Sequence, residues 1–437
     1  MNVHANTSAS EFADALIDAR SRTLELIADL TDEQLIGPRL KIVNPLLWEI
    51  GHVAWFQEKW VLRHRGNATP IREDADALYD SIAIPHDTRW ALPLPSRNET
   101  LDYMQEVLDR ILERLNAIPL DDEDVYFYRL GLFHEDMHDE AFTYTRQTLG
   151  YPRPRFSTVP EETPKSAGHL AGDAEIPGGT FLLGATPDLP FVFDNEKWAH
   201  PVAIRAFCIA HAPVTNGEFV AFVEDKGYVR REFWSEEGWR WREKVGAEHP
   251  VYWQRLSDGR WSRRSYDEIV PLEEHHPIIH VNWFEAQAYC RWAGRRLPTE
   301  AEWEVAASAE PNPDGQGIAV CKRQFPWGDE PIFSGRANLD GRAGGVIDVG
   351  ALAEGDSPFC CRQMIGNVWE WTSDMFGPYP GFVADSYKEY SEPWFGTHKV
   401  LRGGSWITRS RMIRNTWRTY YTPDRRDVMA GFRTCAQ

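Results

Sequence analysis

Two histidines four positions apart stand in the run His134-Glu-Asp-Met-His138. On an α-helix, residues i and i+4 share one face about one turn apart, so both imidazoles can reach one metal ion. His52 is a third candidate ligand. It falls in Trp48-Glu-Ile-Gly-His-Val-Ala-Trp-Phe56, an apolar stretch in which a buried imidazole needs a partner. The chain has 14 His, and an isolated one is most often a core or surface residue without chemistry. Three neutral imidazoles on two helices are another matter. They bind a divalent transition metal on one side and leave its other positions open. The same letters fit H-E-x-x-H, with Glu135 as the general base of a zinc peptidase. That reading needs a third ligand downstream. The candidates Glu161 and Glu162 lie in a proline-rich stretch, a poor place for a rigid ligand, and the reading leaves the second half of the chain unexplained.

The elements that must carry these histidines are helical. Phe12, Leu16, Leu24, Ile27 and Leu30 recur at helical steps, and Leu101, Met104, Leu108, Ile111, Leu112 and Leu115 form one apolar helix face. Thr31-Asp-Glu-Gln34 has the form of a capping box. Two further apolar stretches, Leu46–Phe56 and Val125–Leu149, hold the three histidines. Four such helices predict an antiparallel bundle over residues 1–150, with a cofactor site between facing helices.

From Tyr151 to Pro177 prolines cluster and periodicity fades, which reads as a linker over 151–175. Beyond it, Gly, Trp, Asn and Arg gather in short runs. One clear helix is expected over Trp283–Ala293, and a second behind the capping box Thr299-Glu-Ala-Glu302. Short strands and long loops should make up the rest.

Composition excludes several classes. The chain has 437 residues, 42% hydrophobic and 26% charged, enough for two or three globular domains and unlike a disordered protein. Its net charge is 47 − 66 = −19, which repels phosphate backbones, so no nucleic-acid partner is expected. No apolar run is long enough for a membrane span, and the polar Met1–Ser10 segment is unlike a secretory signal. Six cysteines in such a chain make no disulfide framework, and a reducing cytoplasm is expected. The 19 Trp suit rigid, loop-rich cores and the binding of flat or cationic ligands.

The second half resembles the formylglycine-generating-enzyme-like fold, a sulfatase-modifying-factor, C-type-lectin-like domain. The matching runs come in order over residues 176–437. They include Ile176-Pro-Gly-Gly-Thr-Phe181, His276-Pro-Ile-Ile-His-Val-Asn-Trp283, Arg296-Leu-Pro-Thr-Glu-Ala-Glu-Trp-Glu304, Gly366-Asn-Val-Trp-Glu-Trp-Thr372, Arg402-Gly-Gly-Ser-Trp406 and Gly431-Phe-Arg433. The formylglycine-forming members carry a cysteine pair after Arg-Gly-Gly-Ser. Here the run continues Ile407-Thr-Arg-Ser-Arg-Met-Ile-Arg414 without Cys, so the fold is kept without that chemistry. The first half resembles a DinB-like bundle, and the two together are similar to the ergothioneine sulfoxide synthases. The resemblance implies an α+β chain in which His52, His134 and His138 hold one Fe(II), completed by the C-terminal domain. It implies an O2-dependent reaction that joins a chalcogen to the imidazole C2 of hercynine, the trimethylated histidine. Tyr387, in Ser386-Tyr-Lys-Glu-Tyr-Ser391, matches the position of a tyrosine proton donor, and Tyr420 by position is the best candidate for an aromatic contact to hercynine.

The chain departs from that family at informative places. Met137 stands where a glutamine before the second helix histidine helps position the hercynine ring. The family run Asn-Trp-Asp-x-Pro-x-Arg-Arg becomes Thr419-Tyr-Tyr-Thr-Pro-Asp-Arg-Arg426. Tyr421 replaces the Asp that holds the amine of γ-glutamylcysteine, while Arg425 keeps the first Arg position. A buried ammonium without that Asp is unpaired, whereas a tyrosine can stack on and hydrogen-bond to a sugar. The change, with Asp87-Thr-Arg-Trp-Ala-Leu-Pro-Leu-Pro95, resembles the selenoneine synthase branch, whose donor is a selenosugar. Arg425 and Arg89 then serve the hercynine carboxylate or the sugar hydroxyls. A sulfoxide synthase using γ-glutamylcysteine or cysteine is the alternative. Acidic, carbonyl-rich loops in the second half leave room for a structural Ca2+. A non-catalytic, lectin-like binder is the reading from another class, and it gives the three histidines no purpose.

Overall fold

Helix α1 (Ala9–Ile27) begins at Ser8, whose hydroxyl accepts from the Glu11 N–H while the Glu11 side chain reaches back to the Ser8 N–H. The computed structural model describes residues 8–156, 166–314, 317–333 and 335–437. The chain divides into two compact units, Met1–Thr158 and Val159–Gln437.

The first unit is helical. Its long helices are α1, α3 (Leu46–Gln57), α5 (Arg97–Ala117) and α6 (Asp122–Leu149), and the short α2 (Asp32–Ile36) and α4 (Ala75–Tyr79) fill connections. Capping boxes at Thr31, Ser96 and Asp121 start α2, α5 and α6, and Gly150 in the left-handed conformation ends α6. Thr31 thus caps a short helix of its own. All twelve residues of α3 are buried, which is why that segment is apolar all round rather than striped. It continues as a π-helical segment, Glu58–His64. Helix α3 packs against both α5 and α6, and this places His52 opposite the two histidines of α6.

The second unit mixes short helices and small sheets. A four-stranded sheet has the order Asp173–Ile176, Phe207–Ala210, Cys435–Ala436, Arg295–Arg296. A second has the order Thr419–Tyr421, Lys399–Arg402, Trp369–Met375, Ala430–Gly431. The first strand starts at Asp173, so the last three residues of the expected linker pair in a sheet. Glu161 and Glu162 lie outside the described residues. Helices α9 (Trp283–Trp292) and α10 (Glu300–Ser308) stand where expected, with the Thr299 capping box intact. Two further helices that the sequence reading did not expect are α7 (Asn216–Glu224) and α8 (Glu236–Val245).

Buried ion pairs explain the dense motifs of this unit. Arg433 donates to both Glu370 oxygens at 2.6 and 2.7 Å, and Trp303 Nε1 donates to the same carboxylate at 2.8 Å. Arg402 and Arg418 both donate to Glu300 Oε1 at 2.7 Å. The runs around these residues are therefore scaffold: charged groups fully removed from water must be paired and hydrogen-bonded. All six cysteines are free thiols. Among the described residues no helix is long and apolar enough to cross a membrane.

Candidate functional site

The ligand atoms of His52, His134 and His138 all lie within 4.8 Å of one another. Their ring centroids are 4.5 to 5.0 Å apart. His52 and His134 are buried, and His138 is partly open. Burial and the neighbouring imidazoles hold His52 and His134 well below the ordinary histidine pKa, so both rings stay neutral, as metal binding requires.

Two of the rings are oriented from behind. His52 Nδ1 donates to the Tyr79 carbonyl at 2.8 Å, and His138 Nδ1 donates to Glu49 Oε1 at 2.7 Å. A proton fixed on Nδ1 leaves the Nε2 lone pair for a metal. Gly51 makes the first bond possible. A Cβ there would come 2.3 Å from the Tyr79 ring, so only glycine lets Tyr79 close on α3. Aromatic rings wall the site. Trp48 stacks on His52 at 4.8 Å between centroids, and Phe56 stacks on His134 at 3.6 Å. An imidazole-only set backed by a carboxylate and a carbonyl fits a divalent transition ion such as iron(II).

Glu135 does not serve the zinc-peptidase role. Its buried carboxylate accepts from Arg20 Nε at 2.8 Å, Thr23 Oγ1 at 2.9 Å and Gln57 Nε2 at 2.7 Å. Those bonds commit it to α1 and the end of α3. Met137 is half-buried beside His138. Arg89 is buried, with Nη1 donating to Asn44 at 2.7 Å and Nη2 to the Ser81 carbonyl at 3.1 Å. Its guanidinium lies 4.0 Å from a ring centroid of Trp48, the indole that stacks on His52. The Nη donors are thus engaged within the first unit.

In the second unit the expected residues fall into two groups. Tyr387 and Tyr420 belong to one aromatic cluster centred on Tyr390, each with its ring centroid 6.1 Å from that of Tyr390. Phe376 stacks on Tyr420 at 3.9 Å, and burial pushes the Tyr420 phenol well above its ordinary pKa. Tyr421 is the next residue on the same strand, Thr419–Tyr421, and so projects to the opposite face. There the Arg425 guanidinium lies 5.2 Å from its ring centroid. Arg425 in turn donates through Nε and Nη2 to Asp427 at 2.7 and 2.6 Å. Strand geometry therefore separates Tyr420 from Tyr421 and Arg425.

Sequence reasoning missed Glu49, Tyr390 and Asp427. Glu49 carried a signal: a carboxylate inside an otherwise apolar run, one turn before His52, must have a buried partner. Among the described residues the three histidines are the one group of three or more His, Cys, Asp or Glu side chains able to hold an ion, so the acidic loops bring no such carboxylate cluster together for the expected Ca2+.

Residues 15–146 match the DinB superfamily, and residues 158–437 match the sulfatase-modifying factor enzyme 1-like domain. The hercynine oxygenase of Mycolicibacterium thermoresistibile is 37% identical over 97% of this chain and 94% of its own length. That of Mycobacterium tuberculosis is 37% identical over 98% of this chain and 99% of its own. The formylglycine-generating enzyme of Streptomyces coelicolor is 32% identical but matches only 61% of this chain, with 88% of its own length covered. With both domains matched in order and the identity carried along nearly its whole length, the chain belongs to the hercynine oxygenases, the ergothioneine-type sulfoxide synthase family, and is an oxidoreductase.

Proposed function

We propose that this enzyme is an iron(II)- and O2-dependent selenoneine synthase, which joins the selenium of a selenosugar to the imidazole C2 of hercynine. The C2–H and Se–H bonds break and the C2–Se bond forms. O2 takes up four electrons, with one oxygen leaving as water and the other ending on selenium. His52, His134 and His138 would hold the iron, which when bound would supply the redox chemistry that couples O2 to a soft chalcogen donor. Tyr387 delivers a proton from its phenol. The Tyr420 cluster offers aromatic faces to the trimethylammonium of hercynine, a cation with no N–H to donate. Substrates are small molecules, and the work is done in a reducing cytoplasm.

The observation that favours a neutral sugar donor is the state of Arg425. A γ-glutamylcysteine site needs a counter-charge for the donor's ammonium and free cations for its carboxylates. Here the Asp position is Tyr421, and the Arg425 charge is answered by the buried Asp427 on two hydrogen bonds. A charge already paired gains little from a second carboxylate, while a ring and hydroxyl suit a sugar. A sulfoxide synthase using γ-glutamylcysteine or cysteine is the second reading, favoured by the identity to hercynine oxygenases along the whole chain. The deciding experiment loads the protein with iron(II) without oxygen, adds hercynine and one donor at a time, admits O2 and identifies products by mass spectrometry. Selenoglucose should yield the C–Se product. Faster turnover of γ-glutamylcysteine would give the sulfur reading the function.

A further inference from the structure

We propose that Glu49 is a positioning residue for the metal, whose carboxylate fixes the proton and orientation of His138 and answers the charge that a bound dication places on that ring. The inference rests on the reading of the three histidines as a metal site. Glu49 lies on α3, three residues before His52, and so links the ligand of one helix to a ligand of the other.

The carboxylate is only 2% exposed. One oxygen accepts the His138 Nδ1 proton at 2.7 Å. The other, Oε2, is buried with no hydrogen-bond partner. Its charge acts on the buried Arg89 guanidinium and opposes the effect of burial, which pulls that group down to about 10. A buried carboxylate with one oxygen unsatisfied is a poor choice for folding alone, because desolvation is incompletely offset. The arrangement makes sense when His138 carries a metal. With a dication bound, the His138 Nδ1–H would be a stronger donor, and its bond to a carboxylate would gain more than a bond to a neutral acceptor. Tyr79, which gives His52 only a carbonyl, makes the weaker version of the same contact. The two ligands are thus unequal, and only His138 is backed by a carboxylate.

A changed ligand-field spectrum beside a weakened metal affinity is what a packing role would not give. Glu49→Leu and Glu49→Gln would be prepared metal-free beside the unmodified protein. Each is titrated anaerobically with Co(II), read by ligand-field absorption, and with Fe(II) against a chelating dye. The metal-free forms are melted in parallel. Glu49→Leu should bind both ions about 10- to 100-fold more weakly and shift the Co(II) bands, and its metal-free form should lose stability because the buried Arg89 loses a counter-charge. Glu49→Gln keeps an acceptor for Nδ1–H without the charge and should fall between. Unchanged affinity and spectrum in both variants would overturn the proposal. So would a loss of affinity with unshifted Co(II) bands in both. Should Glu49→Leu fail to fold, Glu49→Gln decides: unaltered affinity there ends the idea. Failure of the unmodified protein to take up either ion would instead overturn the metal reading itself.

Discussion

The Glu135 carboxylate lies 2.8 Å from Arg20 Nε inside the helical unit, beside His134 in sequence yet bonded to a different helix. Both side chains are almost wholly removed from water. Breaking such a pair leaves a buried charge uncompensated, a cost of about 3–5 kcal/mol. Arg20→Leu should therefore lower unfolding free energy by that order in a denaturant melt. Glu135→Gln should destabilise too while leaving metal uptake close to normal. Loss of a hydrolytic activity without loss of stability would restore the general-base role to Glu135.

The three imidazoles should act as one unit. Replacing His52, His134 or His138 by Ala should abolish turnover and strip iron, measured by metal analysis of protein purified without oxygen, while circular dichroism keeps its helical signal. Gly51→Ala tests the support behind His52. Its Cβ would overlap the Tyr79 ring, so the Tyr79 carbonyl must withdraw from Nδ1. Iron affinity should fall although every ligand is present. Full iron occupancy in His52→Ala would move the third ligand elsewhere.

The tyrosine cluster of the second unit should divide its labour. Tyr387→Phe removes a phenolic proton and no ring. It should bind both substrates normally and slow coupling by about 10²- to 10⁴-fold, or divert O2 to oxidation of the donor. Tyr420→Ala removes a ring that packs on Phe376. It should raise the apparent constant for hercynine more than for the donor, by roughly 0.5–2 kcal/mol. Identical products and rates in Tyr387→Phe would leave that residue a packing role.

What could be read from the chain alone followed from how strongly each feature constrains local structure. The four long helices, the caps at Thr31 and Thr299 and the histidine pair on α6 rest on periodicity or fixed spacing, which need no tertiary information. Asp427 and Tyr390 could not be found that way. Their meaning comes from partners, Arg425 and Tyr420, whose disposition depends on one turn and one sheet register. The register Val400↔Tyr420, Lys399↔Tyr421 also sends neighbouring tyrosines to opposite faces, which a motif match lists side by side. Glu304, Glu370, Arg402 and Arg433 stand out as family motifs, and their buried pairings show that such prominence can mark scaffold.

In the proposed function, donor choice would turn on the group formed by Tyr421, Arg425 and Asp427. If the paired Arg425 and the missing Asp exclude the dipeptide, each element can be returned separately. Asp427→Asn keeps the shape and removes the charge, which frees Arg425 to meet a donor carboxylate. Tyr421→Asp supplies a counter-charge for an ammonium. A buried ammonium without one costs several kcal/mol, and each 1.4 kcal/mol is tenfold in affinity, so the unmodified enzyme should discriminate strongly against γ-glutamylcysteine. Each single variant should recover part of that loss. The double variant should recover more than the sum of the two, because the dipeptide carries both charges and the two sites neighbour one another. Selenoglucose should lose efficiency in Tyr421→Asp, where the ring proposed to face it is gone, and change little in Asp427→Asn. Competition assays with both donors at equal concentration read the ratio directly. A ratio unmoved by either substitution would place donor recognition on other residues, and a preference for the dipeptide in the unmodified enzyme would make sulfur its element.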